Sequence, residues 1–166
     1  RFGLSNAGMG TLSSLFFWVY APMQLAVGML LDRFGARPLV VPAIATCALG
    51  IAVFAMSSNP LIAALGRLTT GLGASFGFVG ALYVVNHRFS PNRFALLSGL
   101  VNAIGMLGTA IGAIALSTAI EKQGWEQVFF ATSLAGIALF LVALVFFHDA
   151  TGTAKQVAGN SQARTL

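Results

Sequence analysis

The stretch GMLLDRFGARP, residues 28–38, decides the fold of this chain because it concentrates charge between two long apolar segments. An uncharged run occupies residues 2–31 before it, and another occupies residues 38–66 after it. Within the stretch, Gly35 permits a tight turn, and Pro38 suits the start of a helix, where its missing N–H costs nothing. The stretch therefore predicts a charged hairpin that joins two apolar helices.

The composition indicates that these helices lie in a lipid bilayer. Of the 166 residues, 57% are hydrophobic and only 8% are charged, whereas soluble domains carry roughly 25% charged residues. A helix that spans a bilayer needs about 20 apolar residues. Uncharged stretches of at least that length occupy residues 2–31, 38–66, 68–87, 94–120 and 127–147.

The fold class follows from these stretches. They lack the alternation of apolar and polar residues that membrane barrels show, and helices satisfy their own backbone hydrogen bonds in lipid. The sequence predicts an all-α, polytopic membrane helical bundle. Its five transmembrane helices are expected near residues 11–31, 38–56, 60–84, 93–119 and 125–147.

The distribution of basic residues predicts the orientation in the membrane. Lysines and arginines are enriched in cytoplasmic loops. One predicted side holds only Arg1 and Lys122, and Trp125 at that boundary fits an interfacial anchor. The other side holds six basic residues: Arg33, Arg37, Arg88, Arg93, Lys155 and Arg164. Loops 32–37 and 86–93 and the C-terminal tail are therefore expected in the cytoplasm.

Several function classes find no support in the sequence. No basic stripe with interleaved aromatic residues indicates nucleic acid, despite the net charge of +5. We find no nucleophile paired with a base, no metal-ligand cluster and no phosphate loop, so we expect no enzyme, no cofactor and no metal. Cys47 reads as a small helix residue, and His87 and His148 read as interfacial residues at helix ends.

Arg67 is the most informative single residue because it interrupts an apolar region. It lies seven residues beyond Pro60, about 10 Å along a helix, where an arginine costs roughly 2.5–3.5 kcal/mol on insertion scales. No acidic residue is predicted at membrane depth. Its partner is a bound anion, a backbone carbonyl, water or an acid outside this chain. We favour a bound anion in a cavity over a structural tie to carbonyl groups.

Polar and small residues form stripes on the predicted helices. Tyr20 and Gln24 share a face of the first helix, and Asn102 lies on a polar face of the fourth. Both solute contact and helix packing explain such stripes. Glycines concentrate in the third and fourth helices, which predicts that these two are crowded and that the second and fifth are peripheral.

The charged hairpin carries a family pattern. Its residues follow the spacing G, three residues, D, R, one residue, G, one residue, R, formed by Gly28, Asp32, Arg33, Gly35 and Arg37. This resembles the loop between helices 2 and 3 of the major facilitator superfamily. GRLTTGLG at 66–73 is similar to helix 4 of that family. SPNRFALLSGL at 90–100 and GWEQVFF at 124–130 are similar to the openings of helices 5 and 6.

The resemblance implies a division of the chain. Residues 1–148 correspond to helices 2 to 6 of a twelve-helix fold, a partial N-terminal transmembrane domain, and residues 149–166 to the start of a cytoplasmic linker. Helix 1 and the C-terminal half would lie outside this chain and would be its partners, together with the lipid bilayer. The expected location is a bacterial cytoplasmic (inner) membrane.

The resemblance also implies a function, secondary active transport by alternating access. The hairpin residues Gly28, Asp32, Arg33, Gly35 and Arg37 would form a gating motif, with Asp32 beside a helix N-terminus of the other half. Six residues are candidates for the solute cavity: Arg67, Gly71, Phe78, Tyr20, Gln24 and Asn102.

The expected solute is small and polar or anionic: an amino acid, an organic acid or a sugar phosphate. YAPMQLAVGMLLDRFGARP and FVGALYVV are similar to stretches of bacterial permeases for such solutes, including phagosomal amino-acid transporters. The drug antiporters of the family carry a glycine and proline signature on helix 5, and its proline is absent here. These observations favour ion-coupled uptake. Protons are one candidate for the coupling ion, whose identity stays open at this point. The alternatives are a drug efflux antiporter and a non-transporting membrane sensor or scaffold.

Overall fold

The structure, a computed structural model, describes residues 5–147, and all the regular structure in that range is α-helix. The five helices are α1 Asn6–Phe34, α2 Arg37–Met56, α3 Pro60–Arg88, α4 Pro91–Gln123 and α5 Trp125–Phe146. Each is long and apolar enough to cross a membrane. The predicted all-α class and the five spans are confirmed. The predicted linker and His148 lie outside the described residues.

Three helices, α1, α3 and α4, extend beyond their predicted bounds, whereas α2 and α5 match theirs within one residue. α1 starts five residues early, where the Ser5 side chain accepts a hydrogen bond of 3.2 Å from the N–H of Gly8. α3 and α4 both start at a proline, and α3 continues through Arg88. Polar residues are compatible with a helix, so α1, α3 and α4 extend beyond the uncharged cores from which their bounds were predicted.

α3 lies at the centre of the packing. It has extensive contacts with α2 on one side and with α1 on the other, whereas α1 and α2 barely touch each other. α5 packs mainly against α2. α4 touches α3 and α5 only lightly and does not contact α1. The helices α1 and α4 therefore diverge from each other across α3.

Glycines on α3 allow its backbone to approach its neighbours. A Cβ atom at Gly73 would lie 2.6 Å from the carbonyl oxygen of Ala43 and 2.7 Å from the backbone N of Cys47. One at Gly66 would lie 2.8 Å from the backbone N of Phe54. Real Cβ atoms do not make such contacts, so the interface of α2 and α3 depends on the missing side chains.

Within residues 5–147, the prediction of crowded and peripheral helices does not hold for α2 and α4. α4 has no buried residue, and added Cβ atoms at its glycines would meet nothing within 4 Å. α2 has a single glycine, Gly50, yet it forms the closest interface. Gly50 lies against the α3 backbone, and the other glycines that this interface needs, Gly66 and Gly73, lie on α3. The number of glycines on a helix does not identify the neighbour that they face.

Two apolar clusters fill the ends of the bundle. Leu12, Phe54 and Ala63 join α1, α2 and α3 at one end. The second cluster, at the hairpin end, is formed by Val27, Leu31 and Ala36.

Two polar side chains lie between α2 and its neighbours. The buried Ser133 hydroxyl of α5 donates a hydrogen bond of 3.1 Å to the carbonyl oxygen of Ala48. The half-buried Cys47 thiol donates to the carbonyl oxygen of Thr70 on α3 at 3.6 Å. Cys47 is therefore a packing residue of the α2 and α3 interface.

We expect Gly73→Ala to destabilise the bundle, because the added methyl group would push α2 away from α3. Overpacking of this kind lowers the free energy of unfolding by about 1–3 kcal/mol. Gly77→Ala is the matched control on the same helix, since a Cβ atom there meets nothing within 4 Å. The measurement is the melting temperature of the full-length protein in detergent. Gly73→Ala should lower it by several degrees and Gly77→Ala should not. Equal melting of both variants would contradict the packing described here.

Candidate functional site

A cleft opens between α1 and α4, with α3 at its base. Its volume is about 720 Å³. It lies near mid-depth, because Tyr20 is the central residue of α1 and Met106 is next to the central residue of α4. Solute sites of transporters lie near this depth. The cleft is lined by Tyr20, Gln24, Phe78, Asn102, Gly105, Met106, Thr109, Ala110 and Ala113.

The structure brings four of the six predicted cavity residues together at this cleft. Tyr20 and Gln24 lie one turn apart on α1, Phe78 comes from α3, and Asn102 faces them from α4. Sequence analysis did not include Met106 among the cavity residues. The sequence does place Met106 one helical turn after Asn102, on the same face of the helix. A hydrophobic residue at that spacing is equally common where helices pack, so the spacing did not identify a cavity residue.

Three polar groups in the cleft have no hydrogen-bond partner within residues 5–147. They are the Tyr20 hydroxyl and the carboxamides of Gln24 and Asn102. Thr109 differs, because its hydroxyl donates a hydrogen bond of 2.9 Å to the carbonyl oxygen of Gly105. The two carboxamides therefore present both donors and acceptors to the cleft.

Aromatic packing positions the Tyr20 ring. It stacks on Phe16 with 5.3 Å between ring centroids and 18° between the planes. Phe17 meets it edge to face at 6.5 Å. Phe16 is fixed in turn, because its backbone packs against Gly71 of α3, where a Cβ atom would overlap the Phe16 carbonyl group. The interface of α1 and α3 thus determines the position of the Tyr20 ring at the cleft.

The sequence analysis made Gly71 a candidate for the solute cavity, but the structure leaves no room for a solute beside it. The space beside it is filled by the α1 backbone, and Gly71 is buried. The sequence analysis placed Arg67, Gly71 and Phe78, all on the third predicted helix, in the same solute cavity. At the depth of Gly71 the α1 backbone covers this face of α3, and the face reaches the cleft only further along, at Phe78.

Arg67 does not line the cleft either. Its guanidinium carbon lies 4.5 Å from the centroid of the Phe54 ring on α2. The side chain is half-buried, and its Nε atom is buried with no hydrogen-bond partner in the described part of the chain. The cation thus contacts an aromatic face, a partner that sequence analysis did not consider. The sequence signal for this contact was Phe54, an aromatic residue two positions before the end of α2.

The ring under Arg67 belongs to an aromatic cluster. The centroid of the Phe54 ring lies 5.2 Å from that of Phe129 and 6.2 Å from that of Trp125, and both of these residues are on α5. A cation over an aromatic face is stabilised by about 0.5–2 kcal/mol, more when it is shielded from water. Arg67 therefore connects α3 to the contact between α2 and α5.

The hairpin residues occupy one end of the bundle. Gly35 has a φ angle of 84°, and its N–H donates to the carbonyl oxygen of Leu31 at 2.8 Å, which ends α1. Asp32 and Arg33 are exposed. A Cβ atom at Gly28 would meet nothing within 4 Å among the described residues.

Arg37 has a structural contact of its own. Its Nη2 atom donates to the carbonyl oxygen of Leu144 at 3.4 Å, near the C-terminus of α5. A cation is favoured at that end of a helix dipole. The hairpin is therefore tied to α5 as well as to α1.

A double-mutant cycle tests the position of Arg67. If the guanidinium stacks on Phe54, Arg67→Met and Phe54→Leu should each lower the melting temperature of the full-length protein. The double variant should lose less stability than the sum of the two single losses. The difference, which is the coupling free energy of the pair, should be about 0.5–2 kcal/mol.

Arg33 and Phe34 form the matched control, an exposed pair at 5.3 Å whose coupling should be smaller. Additive effects at Arg67 and Phe54 would contradict the stacking. So would an Arg67→Met variant that melts normally but no longer binds solute, since that result would place the arginine in the solute site.

Comparison with known proteins agrees with this architecture. The family model of the Major Facilitator Superfamily matches residues 1–165. The chain is 27% identical over 160 residues to the methylenomycin A resistance protein of Bacillus subtilis (strain 168), covering 93% of this chain and 33% of that protein. It is 24% identical over 145 residues to the multidrug resistance protein MdtL of Escherichia coli O9:H4 (strain HS), covering 87% of this chain and 37% of that protein.

These relationships establish the family of the chain. It spans about a third of the length of the curated relatives that it matches. The family match covers all five helices, and the helical bundle agrees with it. The chain belongs to the Major Facilitator Superfamily, a family of membrane transporters and not of enzymes.

Proposed function

We propose that the protein containing this chain is a secondary transporter that exports organic compounds across the membrane by alternating access. The observation that carries the proposal is the cleft at mid-depth between α1 and α4, into which three unpaired polar groups project. Such a concave, mostly apolar site with few polar groups is typical of small-molecule binding. It is supported by the names of the relatives, which are resistance proteins.

Export is preferred here over the uptake of an anion that the sequence suggested. The anionic solute was inferred from Arg67, and its guanidinium lies over Phe54 and away from the cleft. The similarity to permeases for organic acids and amino acids has no counterpart in the relatives named above. The alternative that sequence analysis left open, drug efflux, is therefore the proposal that the cleft and the relatives support.

The hairpin supports a gating role. The proposed orientation places loops 32–37 and 86–93 in the cytoplasm, following the distribution of basic residues. Asp32 is exposed at the end of α1, where its carboxylate is accessible to the positive N-terminus of a helix from outside this chain. Because Arg37 is bonded to α5, movement of the hairpin would move α1 and α5 together. We also propose that the transporter lies in a bacterial inner membrane and that the proton gradient drives export.

Export is tested by expressing the full-length protein in bacteria whose own efflux pumps are deleted. Cells that express it should accumulate at least one of two lipophilic dyes, ethidium or Nile red, several-fold less than cells with empty vector. Collapse of the proton gradient should abolish the difference. Equal accumulation of both dyes, with the protein present in the membrane, would favour a non-transporting sensor or scaffold.

Asp32→Asn serves as the mechanistic variant in the same assay. It removes the charge at the hairpin while keeping the shape, so it should slow export and leave dye binding within a few-fold. Glu121→Gln is its matched control, an exposed carboxylate near the end of α4. It should export normally. Loss of dye binding in Asp32→Asn would contradict a gating role.

A further inference from the structure

We infer that the cleft selects uncharged compounds that combine an aromatic ring with a neutral amide, carbonyl or hydroxyl group. This inference rests on the proposed function, because it names the class of compound that the same cleft takes. It is carried by three properties of the cleft wall: the distance of every charge, the unpaired carboxamides, and the aromatic surface beside them.

The charged side chains of the lining helices lie far from the cleft along each helix axis. Asp32 follows Gln24 by eight residues on α1, about 12 Å, and the nearest charge on α3, Arg88, follows Phe78 by ten residues, about 15 Å. On α4, Glu121 lies eight residues after the lining range 102–113, about 12 Å, and Arg93 lies nine residues before it, about 14 Å. An ion in the cleft would lose hydration without gaining a counter-charge from this wall.

The polar groups of the wall suit a neutral ligand. The carboxamides of Gln24 and Asn102 each offer a donor N–H and an acceptor oxygen, and neither is used by another described residue. A neutral amide or a hydroxyl beside a carbonyl has the complementary pair. A site that hydrogen-bonds its ligand rejects an analogue without those groups, because its own polar groups are then left unpaired.

The apolar part of the wall suits a ring. The Tyr20 ring is held by Phe16, Phe78 is 39% exposed at the base of the cleft, and Met106 is 68% exposed on α4. Aromatic faces and a thioether are favourable contacts for a planar ring. Tyr20 and Gln24 lie one turn apart, so a ring and its polar substituent would meet adjacent residues of α1.

A matched series of fluorescent compounds tests the charge of the ligand. Coumarin-3-carboxamide is neutral, coumarin-3-carboxylate is an anion, and 3-(aminomethyl)coumarin is a cation, and all three have the same ring. Fluorescence titration of the purified full-length protein should give at least tenfold tighter binding of the carboxamide than of either ion. Equal or tighter binding of an ion would overturn the inference.

Variants of one residue test whether the cleft makes this selection. Asn102→Leu should weaken carboxamide binding about tenfold. Asn102→Asp adds a charge with almost no change of shape and should shift the preference toward the aminomethyl compound. Thr118→Val is the control, because the Thr118 hydroxyl bonds its own helix at the carbonyl oxygen of Ile114 and lies outside the lining. It should bind as the unchanged protein does.

The failures of the two claims are distinguishable. If neither ethidium nor Nile red is exported, the proposed function fails, whatever the titrations give. If ethidium, a cation, is exported and the neutral Nile red is not, the proposed function stands and the inference is wrong. If a dye is exported but carboxamide binding is unchanged in both Asn102→Leu and Asn102→Asp, with both variants eluting as folded protein on size exclusion, then the selection is not made by this cleft and the inference is wrong.

Discussion

The contact of the α3 backbone with α1 and α2 is the constraint on which the rest of the structure depends. In lipid, apolar side chains gain little by leaving one hydrocarbon surface for another, so helices associate through close packing. Gly73 brings α2 against α3, and Gly71 brings α1 against it. With two of its faces occupied in this way, α3 contacts α4 only lightly, and the cleft lies where α1 and α4 diverge.

The same packing separates two residues that share a face of α3. Phe78 lies at the depth where α1 and α4 have diverged, and it lines the cleft. Arg67 lies nearer the other end, where Leu12, Phe54 and Ala63 close the bundle. There its guanidinium finds an aromatic ring within the bundle. The guanidinium of this cation at membrane depth therefore has an aromatic partner away from the cleft.

The number of helices and several residues that line the cleft could be predicted from the sequence. Apolar run length predicted five spans, and helical periodicity placed Tyr20 and Gln24 on the face that lines the cleft. Periodicity gives the direction of a side chain but not the depth at which neighbouring helices separate, so Arg67 and Gly71 were assigned to an open cavity. The isolation of α4 was also beyond the sequence, since a glycine count does not reveal which helix approaches.

The most direct test of this account is the position of a transported compound in the full-length protein, measured by electron cryomicroscopy. The account predicts density for the compound between α1 and α4, within hydrogen-bond distance of Gln24 or Asn102, with the Arg67 guanidinium still over the Phe54 ring. Density bonded to the Arg67 guanidinium, with an empty cleft beside Asn102, would contradict it.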